Sequence, residues 1–360
     1  MQSLNQPESA AAFASPAVAT LAGQADIPPA AAAVAEPETE EQRVLKAYLS
    51  APAVLIEISS RCNFACGYCS SAFKERAKVD MSLELFQHIA PQLPGLTRKA
   101  IRLHIDGEPT MHPHFLEIAA LVNRQGLRVA LATNGSLLDP SMLSIEMDVL
   151  ISASTTPEEL AQRHRHLNYE KYISRIQDYV RAWLKTPTKQ CLRIQVPFAL
   201  GQVDDAEYRR AKDDHLARFM EAVGLPPPQG SLHEKRYGFG KSKDEVLEMF
   251  PWHIVGEGLY PVDGKRLEYL PLSTGFCDSP WNRLAVLATG EVACCCVDLS
   301  GGTAFTKPYE ILEKPLQELW LHHPRITAIR RAFLNRRVGF EVCRRCLAAY
   351  GGELRHDCSS

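Results

Sequence analysis

The sequence lacks three features, and each absence argues against one class of partner or location. It has no excess of positive charge, since the formal net charge is −2, and nucleic-acid binding requires a basic face that neutralises many phosphates. No uncharged run approaches the roughly 20 apolar residues that span a bilayer. No Lys or Arg occurs between Met1 and Gln42, which argues against a secretory signal or transit peptide. We therefore expect a cytoplasmic protein with neither nucleic acid nor membrane as its partner.

Cysteine, by contrast, is abundant, with 11 residues in a chain of 360. The number is odd, and the chain is far longer than the small secreted scaffolds that disulfides stabilise. Metal binding is the better explanation, because thiolates remain available as ligands in a reducing cytoplasm. With 46% apolar residues, the chain can bury the core of one large domain and still form a small second one.

The pattern along the chain indicates βα units after a polar start. Residues 1–45 are rich in Ala and Pro, and we expect a disordered tail there, with no folded leader-binding domain before the first motif. Short apolar runs then alternate with amphipathic segments, which is typical of a parallel sheet. The predicted strands are Val54–Ile58, Ala100–Ile105, Arg128–Thr133, Val149–Ala153 and Leu192–Phe198.

Helical spacing and glycines complete this outline. Apolar residues recur at helical intervals in 81–93 and 169–184, which predicts helices that pack one face on a core. Gly126 and Gly224 follow two further helical segments and are expected to end them. Prolines and glycines are dense in 226–240, which predicts a linker or bent crossover.

The first cysteine motif follows the first predicted strand directly. In "IEISSRCNFACGYCSS", Cys62, Cys66 and Cys69 form a C-x3-C-x2-C loop. Three thiolates on one short loop suit an iron–sulfur cluster, and a cubane held by three cysteines keeps its fourth iron open. The alternatives are a zinc loop or three buried thiols. Structural zinc sites need four ligands, however, and no fourth follows nearby.

This loop resembles that of the radical S-adenosylmethionine (SAM) superfamily, and the resemblance covers about residues 52–200 and then the C-terminus. The segment "HIDGEPTMHPHF" is similar to the family's Gly-Gly-Glu motif, with Asp106 in place of the first glycine while Gly107 and Glu108 match. In the family this turn meets the SAM amino group, and a carboxylate is a suitable partner for an ammonium. Alone, Glu108 would be an ordinary turn residue.

The same resemblance implies further SAM contacts. Asn134 in "LATNGSLL" and Ser152 and Ser154 in "ISASTT" match positions that contact the ribose, although Asn and Ser are also common turn residues at strand ends. In "PEELAQRHRHLNYEKY", Arg165 is the best match for an arginine on the SAM carboxylate. Arg163 is the alternative, and a solvated arginine is a third explanation. Tyr68 matches the aromatic residue beside the adenine.

The resemblance also implies a fold and a domain order. The expected class is α/β, a partial (β/α)6 TIM-type barrel in residues 50–230, with the cluster at the C-terminal mouth. A linker or crossover is expected in 231–275, and a small cysteine-rich SPASM/twitch domain in 276–360. The implied chemistry is reductive cleavage of SAM to a 5′-deoxyadenosyl radical, which abstracts hydrogen from a substrate C–H bond.

A second cysteine group lies in the C-terminal third, in "CDSPWNRLAVLATGEVACCCVD" and "EVCRRCLAAY". It resembles the SPASM/twitch auxiliary-cluster domain, and its cluster spacing is similar to that of the 2-deoxy-scyllo-inosamine dehydrogenases. The implied ligands are Cys277, Cys295, Cys343 and Cys346, although Cys294 or Cys296 could replace Cys295. Only Cys358 follows, so one closed auxiliary [4Fe–4S] cluster is favoured over two. A four-cysteine zinc ribbon is the alternative.

These features allow three functions. The first is oxidation of a small natural-product or sugar-like molecule, with the substrate electron passed to the auxiliary cluster. The second is peptide modification by crosslink or thioether formation, and the third is a non-enzymatic iron–sulfur or zinc protein. The acid–base residue is not identified, because His104 and Glu257 are as easily ordinary strand or loop residues. Cys191 is interpreted as a buried strand thiol.

A reductant is the expected protein partner. The stretch "RRAFLNRR", with Arg344 and Arg345, could guide an acidic flavodoxin or ferredoxin to the C-terminal domain. A solvated helix face is the more common origin of such a charge run.

Overall fold

The structure is a computed structural model. It describes residues 51–66, 69, 76–199, 205–227, 230, 237–242, 245–254, 267–268, 277–295, 301–335 and 355–356. The predicted tail in residues 1–45 lies outside these ranges. Within them, no helix combines the length and the apolar character needed to cross a membrane.

One mixed sheet organises the described residues. It has nine strands in the order β10-β9-β1-β2-β3-β4-β5-β7-β6, and β11 and β8 form a separate two-stranded sheet. Seven neighbouring strands, β9, β1 to β5 and β7, run parallel to one another, which confirms the predicted α/β class. The strands are β1 Ala53–Ile56, β2 Ile101–Arg102, β3 Val129–Thr133, β4 Met147–Ser152, β5 Gln190–Ala199, β6 Tyr237–Ser242, β7 Glu245–Ile254, β8 Leu267–Glu268, β9 Arg283–Val286, β10 Val292–Ala293 and β11 Arg355–His356.

Helices connect the parallel strands. Several begin at a polar residue whose side chain accepts a backbone N–H, such as Ser82, Thr156 and Asn168, and such caps satisfy donors that have no intrahelical partner. The predicted helices in 81–93 and 169–184 are confirmed. The helices are α1 Leu83–Ile89, α2 Leu93–Leu96, α3 Phe115–Arg124, α4 Pro157–Arg163, α5 Tyr169–Lys185, α6 Ala206–Ala222, α7 Ser279–Asn282, α8 Leu316–His322 and α9 Pro324–Leu334.

The two faces of the parallel sheet differ in burial. A sheet covered on both faces would be apolar throughout, but β3 and β4 alternate between buried and partly exposed residues. Large apolar residues such as Val149 and Ile151 pack under the helices in the main core, together with Tyr179 and Trp183. Ala132 and Leu150 lie on the opposite, partly open face. We call this opposite face the concave face.

The segment predicted as a linker contributes to the sheet. Within 231–275, β6 and β7 form an antiparallel pair, and β7 continues the sheet parallel to β5 from Leu192 to Ala199. The expectation of a linker was therefore wrong for these strands. The error arose because turn residues mark breaks in a strand pattern without showing where the chain returns.

The start of the C-terminal region extends the same sheet at its other edge. Strand β9 pairs in parallel with all four residues of β1, and β10 folds back on β9. Cys277 precedes α7 and β9, and Cys294 and Cys295 follow β10 directly. The described cysteines of the second motif are therefore attached through this hairpin to the strand that carries the first motif.

Gln190 provides a test of this packing. Its fully buried amide donates to the carbonyls of Met142 and Ile145 at 2.6 and 2.9 Å and accepts from the Tyr179 hydroxyl at 2.7 Å. Gln190→Leu would take the amide from the Ile145 carbonyl and the Tyr179 hydroxyl and remove one of the two donors to the Met142 carbonyl, so we expect urea unfolding to show a loss of about 3 kcal/mol. Gln87→Leu, on the exposed side of α1, should change stability by less than about 0.5 kcal/mol. Equal effects would contradict this account of the buried amide.

Candidate active site

Two ion pairs close the ends of the cysteine loop that follows β1. Before Cys62, the Arg61 Nε donates to Asp80 Oδ1 at 3.0 Å. After Cys69, Arg76 makes a bidentate pair with the fully buried carboxylate of Glu57. Bidentate arginine–carboxylate pairs fix orientation as well as distance. The loop therefore leaves and rejoins the sheet at fixed points.

The Gly107 turn packs directly on the backbone that leads into this loop. The Glu108 N–H donates to the carbonyl of Arg61 at 2.7 Å, and Gly107 has φ +82°. A Cβ at Gly107 would lie 2.6 Å from the Ser59 carbonyl oxygen and 2.7 Å from that of Arg61. Only glycine permits both the backbone conformation and the close approach.

Glu108 connects this turn to the end of β3. Its carboxylate is 1% exposed and accepts from Thr110, from the Thr133 hydroxyl at 2.7 Å and from the Asn134 N–H at 2.7 Å. Burial raises the pKa of Glu108, and these donors oppose the rise. Of these hydrogen bonds, Oε2 accepts only the one from the Asn134 N–H. Since a carboxylate oxygen can accept two, Oε2 can still accept a further donor such as an ammonium. The expected ammonium contact therefore stays a prediction, and the described contacts show a carboxylate that positions the turn.

Asn134 faces the cysteine loop. Its Nδ2 donates to Asn63 Oδ1 at 2.8 Å and lies 4.0 Å from Cys62 Sγ, while Asn63 donates to Ser136 Oγ at 2.9 Å. Asn134 therefore lies beside the cysteine loop, and its expected contact with the SAM ribose stays a prediction. Sequence reasoning missed Asn63, although its place between two candidate ligands was a signal.

The structure places Arg163 in the site and leaves Arg165 exposed. Arg163 is 4% exposed, and its Nη1 donates to the Ser152 carbonyl and to Ser154 Oγ, both at 2.9 Å. Its Nε lies 3.4 Å from Cys66 Sγ. This geometry favours Arg163 over Arg165, because Arg163 ends α4 on the side that faces the loop, which sequence spacing could not show; which arginine contacts SAM stays a prediction.

Ser152 and Ser154 differ in what they can reach. Ser154 is fully buried, its hydroxyl supports Arg163, and its N–H donates to the Tyr172 hydroxyl at 3.0 Å. Ser152 is partly exposed on the concave face. Of the two, Ser152 is the one positioned to contact a ligand, and Ser154 holds the arginine.

The chemistry of the three thiols fits an iron–sulfur cluster. Burial, opposed by the Phe64 N–H and reinforced by negative charge at Glu108, Cys66 and Cys69, raises the pKa of Cys62 to about 12. Such a thiol becomes a thiolate only when a cation compensates its charge. No three described His, Cys, Asp or Glu side chains converge as ligands of a single ion. A cubane, in contrast, binds each cysteine to a different iron and so needs wider spacing.

The second motif is only partly described. Cys277 and Cys295 are partly buried, whereas Cys294 is 2% exposed in the main core. This difference favours Cys295 over Cys294 as the ligand. Several predicted residues lie outside the described residues: Tyr68, Cys296, Cys343, Cys346, Cys358, Glu257, Arg344 and Arg345.

Two further residues, Cys191 and His104, were considered in the sequence but were not expected to bind SAM. Cys191 lies in β5, as predicted, but it is only partly buried, so its interpretation as a buried thiol was wrong. His104 is partly exposed at the end of β2, and its Nδ1 accepts the Ala132 N–H at 3.3 Å.

Gly107→Ala should prevent iron binding at the first cysteine motif. The added methyl group would push the Glu108 turn away from residues 59–61. Gly126→Ala is the matched control, because Gly126 has φ +72° but nothing within 4 Å of its Cβ position. We expect anaerobic reconstitution to lose about four irons in Gly107→Ala and none in Gly126→Ala. Full iron content in Gly107→Ala would contradict the role of this close contact.

Arg163→Ala and Arg165→Ala test which arginine holds SAM. Because Arg163 is buried beside the loop and Arg165 is solvated, we expect the first change to weaken SAM binding about 100-fold, on the order of 3 kcal/mol for a lost charged contact. The second should leave affinity within about twofold. Equilibrium binding to the reconstituted protein measures both, and a reversed order would contradict this assignment.

Two protein-family models match this chain. The model of the radical SAM superfamily matches residues 56–189, and that of the SPASM iron–sulfur cluster-binding domain matches residues 277–347. The first match contains the cysteine loop and every described residue of the candidate SAM site. The second contains Cys277, Cys295, Cys343 and Cys346.

Curated relatives and solved structures agree with these matches. The chain is 30% identical over 266 residues to a GTP 3′,8-cyclase of Marinobacter nauticus, covering 67% of this chain and 78% of that protein. It is 38% identical over 91 residues to the tungsten-containing aldehyde ferredoxin oxidoreductase cofactor-modifying protein of Pyrococcus furiosus, covering 24% and 25%. That protein and three other relatives are matched over only 23% to 40% of their length.

A solved structure shows the fold alone, since its sequence identity to this chain is low. Streptococcus suis SuiB bound to S-adenosylmethionine has a TM-score of 0.50 at 14% identity, covering 79% of this chain and 70% of that chain. The family models and the long relative establish the cofactor class. The chain therefore belongs to the radical SAM superfamily, uses a [4Fe–4S] cluster with SAM, and carries a C-terminal SPASM domain for auxiliary iron–sulfur.

Proposed function

We propose that this radical SAM enzyme oxidises a small polar molecule bound on the concave face and passes the substrate electron to one auxiliary [4Fe–4S] cluster. The first cluster would be held by Cys62, Cys66 and Cys69, with SAM near Ser152, Asn134 and Arg163. Bound there, the two cofactors supply the radical that takes a hydrogen atom from a substrate C–H bond. The thiolates require a reducing compartment, so the proposed location is the cytoplasm.

The composition of the concave face carries this proposal. Ala130 and Ala132 present small, partly exposed side chains on this face of β3, the strand that leads to Asn134 of the proposed SAM site. Arg102 of β2 and Arg193 of β5 are exposed, and Gln195 is partly exposed. The strand pairings place Arg102, Ala130 and Asp148 in one row, and Leu150 and Arg193 in the next. Guanidinium groups on such a face favour a substrate that bears carboxylate or phosphate oxygens.

His104 adds a neutral donor to this face. A backbone N–H can only donate, so the 3.3 Å contact from Ala132 makes Nδ1 the acceptor and leaves the proton on Nε2. Burial, and then the charge of Arg102, lowers the pKa of His104 to about 4. The imidazole is therefore neutral near pH 7, and its role in the proposal is to donate a hydrogen bond to a substrate oxygen.

The C-terminal hairpin supports the role of an electron acceptor. Glu57, which follows β1, accepts the Ala288 N–H at 3.1 Å and pairs with Arg76 at the end of the cysteine loop. The loop and the hairpin that precedes Cys295 are therefore joined through one buried carboxylate. This contact ties the cysteine loop to the hairpin that carries Cys295, the described part of the second motif.

A flavodoxin or ferredoxin is the proposed reductant, but the basic stretch that suggested it is not one charged surface. Arg330 is 5% exposed, donates to the Pro280 carbonyl at 2.9 Å and stacks over Trp320. Its neighbour Arg331 is exposed. Arg330 therefore holds α9 on α7, and of the described arginines in this stretch only Arg331 is exposed to an acidic protein.

A second candidate is radical ring closure on a purine nucleotide. A relative that covers 67% of this chain is a GTP 3′,8-cyclase, and a triphosphate also suits Arg102 and Arg193. The two candidates differ in the product mass. Oxidation removes two hydrogens from the substrate, whereas ring closure leaves its mass unchanged.

The proposal is tested first on cofactors. Anaerobic reconstitution should give about eight irons in the wild type and about four in the Cys62/Cys66/Cys69→Ala variant. Dithionite should release 5′-deoxyadenosine only from the wild type. Zinc in the C-terminal site would remove the electron acceptor, and the absence of SAM cleavage in the wild type would contradict the enzyme assignment.

The concave face is tested with candidate anionic metabolites, GTP and candidate peptides. A true substrate should accelerate deoxyadenosine formation. When that substrate is labelled with deuterium, the label should appear in the deoxyadenosine. Arg102→Ala/Arg193→Ala should lower substrate turnover about 100-fold, since two charged contacts are lost, while SAM cleavage without substrate persists. Arg124→Ala, on the exposed end of α3, is the control. Unchanged turnover in the double variant, or turnover of peptides alone, would contradict the proposed face.

A further inference from the structure

A buried cation lies against one thiol of the cysteine loop. Arg163 Nε is 3.4 Å from Cys66 Sγ, in a geometry that qualifies as a hydrogen bond. Cys66 is itself buried. A guanidinium is always charged and has a weaker hydration shell than an ammonium, so it can remain close to a buried thiolate. The contact is therefore a charge-assisted hydrogen bond whenever Cys66 is a thiolate.

This arginine is held from several sides. Nη1 donates to the Ser152 carbonyl and to Ser154 Oγ, and the guanidinium carbon lies 5.1 Å from the centroid of the Phe64 ring. The Arg163 carbonyl accepts the Ala65 N–H at 2.8 Å. Arg163 thus contacts the loop through both its backbone and its side chain, and rotation of the side chain away from Cys66 would break these contacts.

The donors at Cys62 differ from that at Cys66. The Phe64 N–H is 3.4 Å from Cys62 Sγ, and the Asn134 amide nitrogen is 4.0 Å away. Both of these groups are neutral. Among the described contacts at Cys62 and Cys66, the charged donor acts on Cys66 alone.

We propose that Arg163 raises the reduction potential of the cluster on Cys62, Cys66 and Cys69 through its hydrogen bond to Cys66. The inference rests on the proposed function, because it requires a cluster on this loop. One-electron reduction adds a negative charge to the cluster and its thiolates, and hydrogen bonds and positive charge at the sulfurs stabilise that state. Arg163 therefore makes the electron from the reductant easier to accept, in addition to its proposed contact with SAM.

The test compares three variants with the wild type by a redox titration without SAM, followed by electron paramagnetic resonance of the reduced first cluster. Arg163→Gln removes the charge and the Nε donor. Arg163→Lys keeps the charge but lacks the planar guanidinium that the site fixes. Arg165→Gln removes one exposed charge two residues away, and solvent screens such a charge. The auxiliary cluster, measured in the same samples, serves as an internal reference.

We expect the equilibrium constant for reduction of the first cluster to fall about tenfold in Arg163→Gln. For one electron, this change makes the reduction potential about 59 mV more negative. The reduction potential of Arg163→Lys should lie between those of Arg163→Gln and the wild type. The potential of Arg165→Gln should equal that of the wild type. Equal potentials in Arg163→Gln and the wild type would overturn the inference. If Arg163→Gln binds no iron, the test rests on Arg163→Lys, and a wild-type potential in that variant overturns the inference. Failure of both variants to assemble the cluster also overturns it. A wild type without a cluster on this loop refutes the proposed function instead.

Discussion

The close contact of Gly107 with the backbone of residues 59–61 is the constraint on which the rest of the site depends. It brings the turn after β2 against the chain that leads from β1 into the cysteine loop. Glu108, the next residue, then binds Thr133 and Asn134 at the end of β3. Three neighbouring strand ends are thereby held in one arrangement. A side chain at Gly107 would separate the loop from the groups that surround it.

Two buried ion pairs also fix the elements that surround the candidate site. Glu57 with Arg76, and Glu159 with Lys212, are ion pairs in which one partner is almost fully buried, so removing either partner would take a compensating charge from a low-dielectric interior. The first pair joins the cysteine loop to the C-terminal hairpin, and the second joins α4, which ends with Arg163, to α6. Burial lowers the pKa of Lys212, and Glu159 opposes this effect. These pairs therefore position the helix and the hairpin that surround the candidate site.

The sequence predicted the parallel strands and the first cysteine motif well, because alternation of apolar residues and fixed cysteine spacing are local signals. β4 and β5 begin two residues before their predicted starts. Local signals failed where tertiary packing decides. Arg163 and Arg165 lie in the same motif, and only the orientation of α4 buries one of them. The strands β6 and β7 were missed because proline and glycine obscured their pattern; β7 is stabilised by pairing with β5, and β6 by pairing with β7.

Anomalous diffraction at the iron absorption edge, from crystals of the protein reconstituted anaerobically with SAM, tests the central claim most directly. The account predicts one iron peak within bonding distance of Cys62, Cys66 and Cys69, with the SAM carboxylate beside Arg163, and a second iron peak at Cys277 and Cys295. An iron-free first loop, or SAM bound away from Arg163, would contradict it.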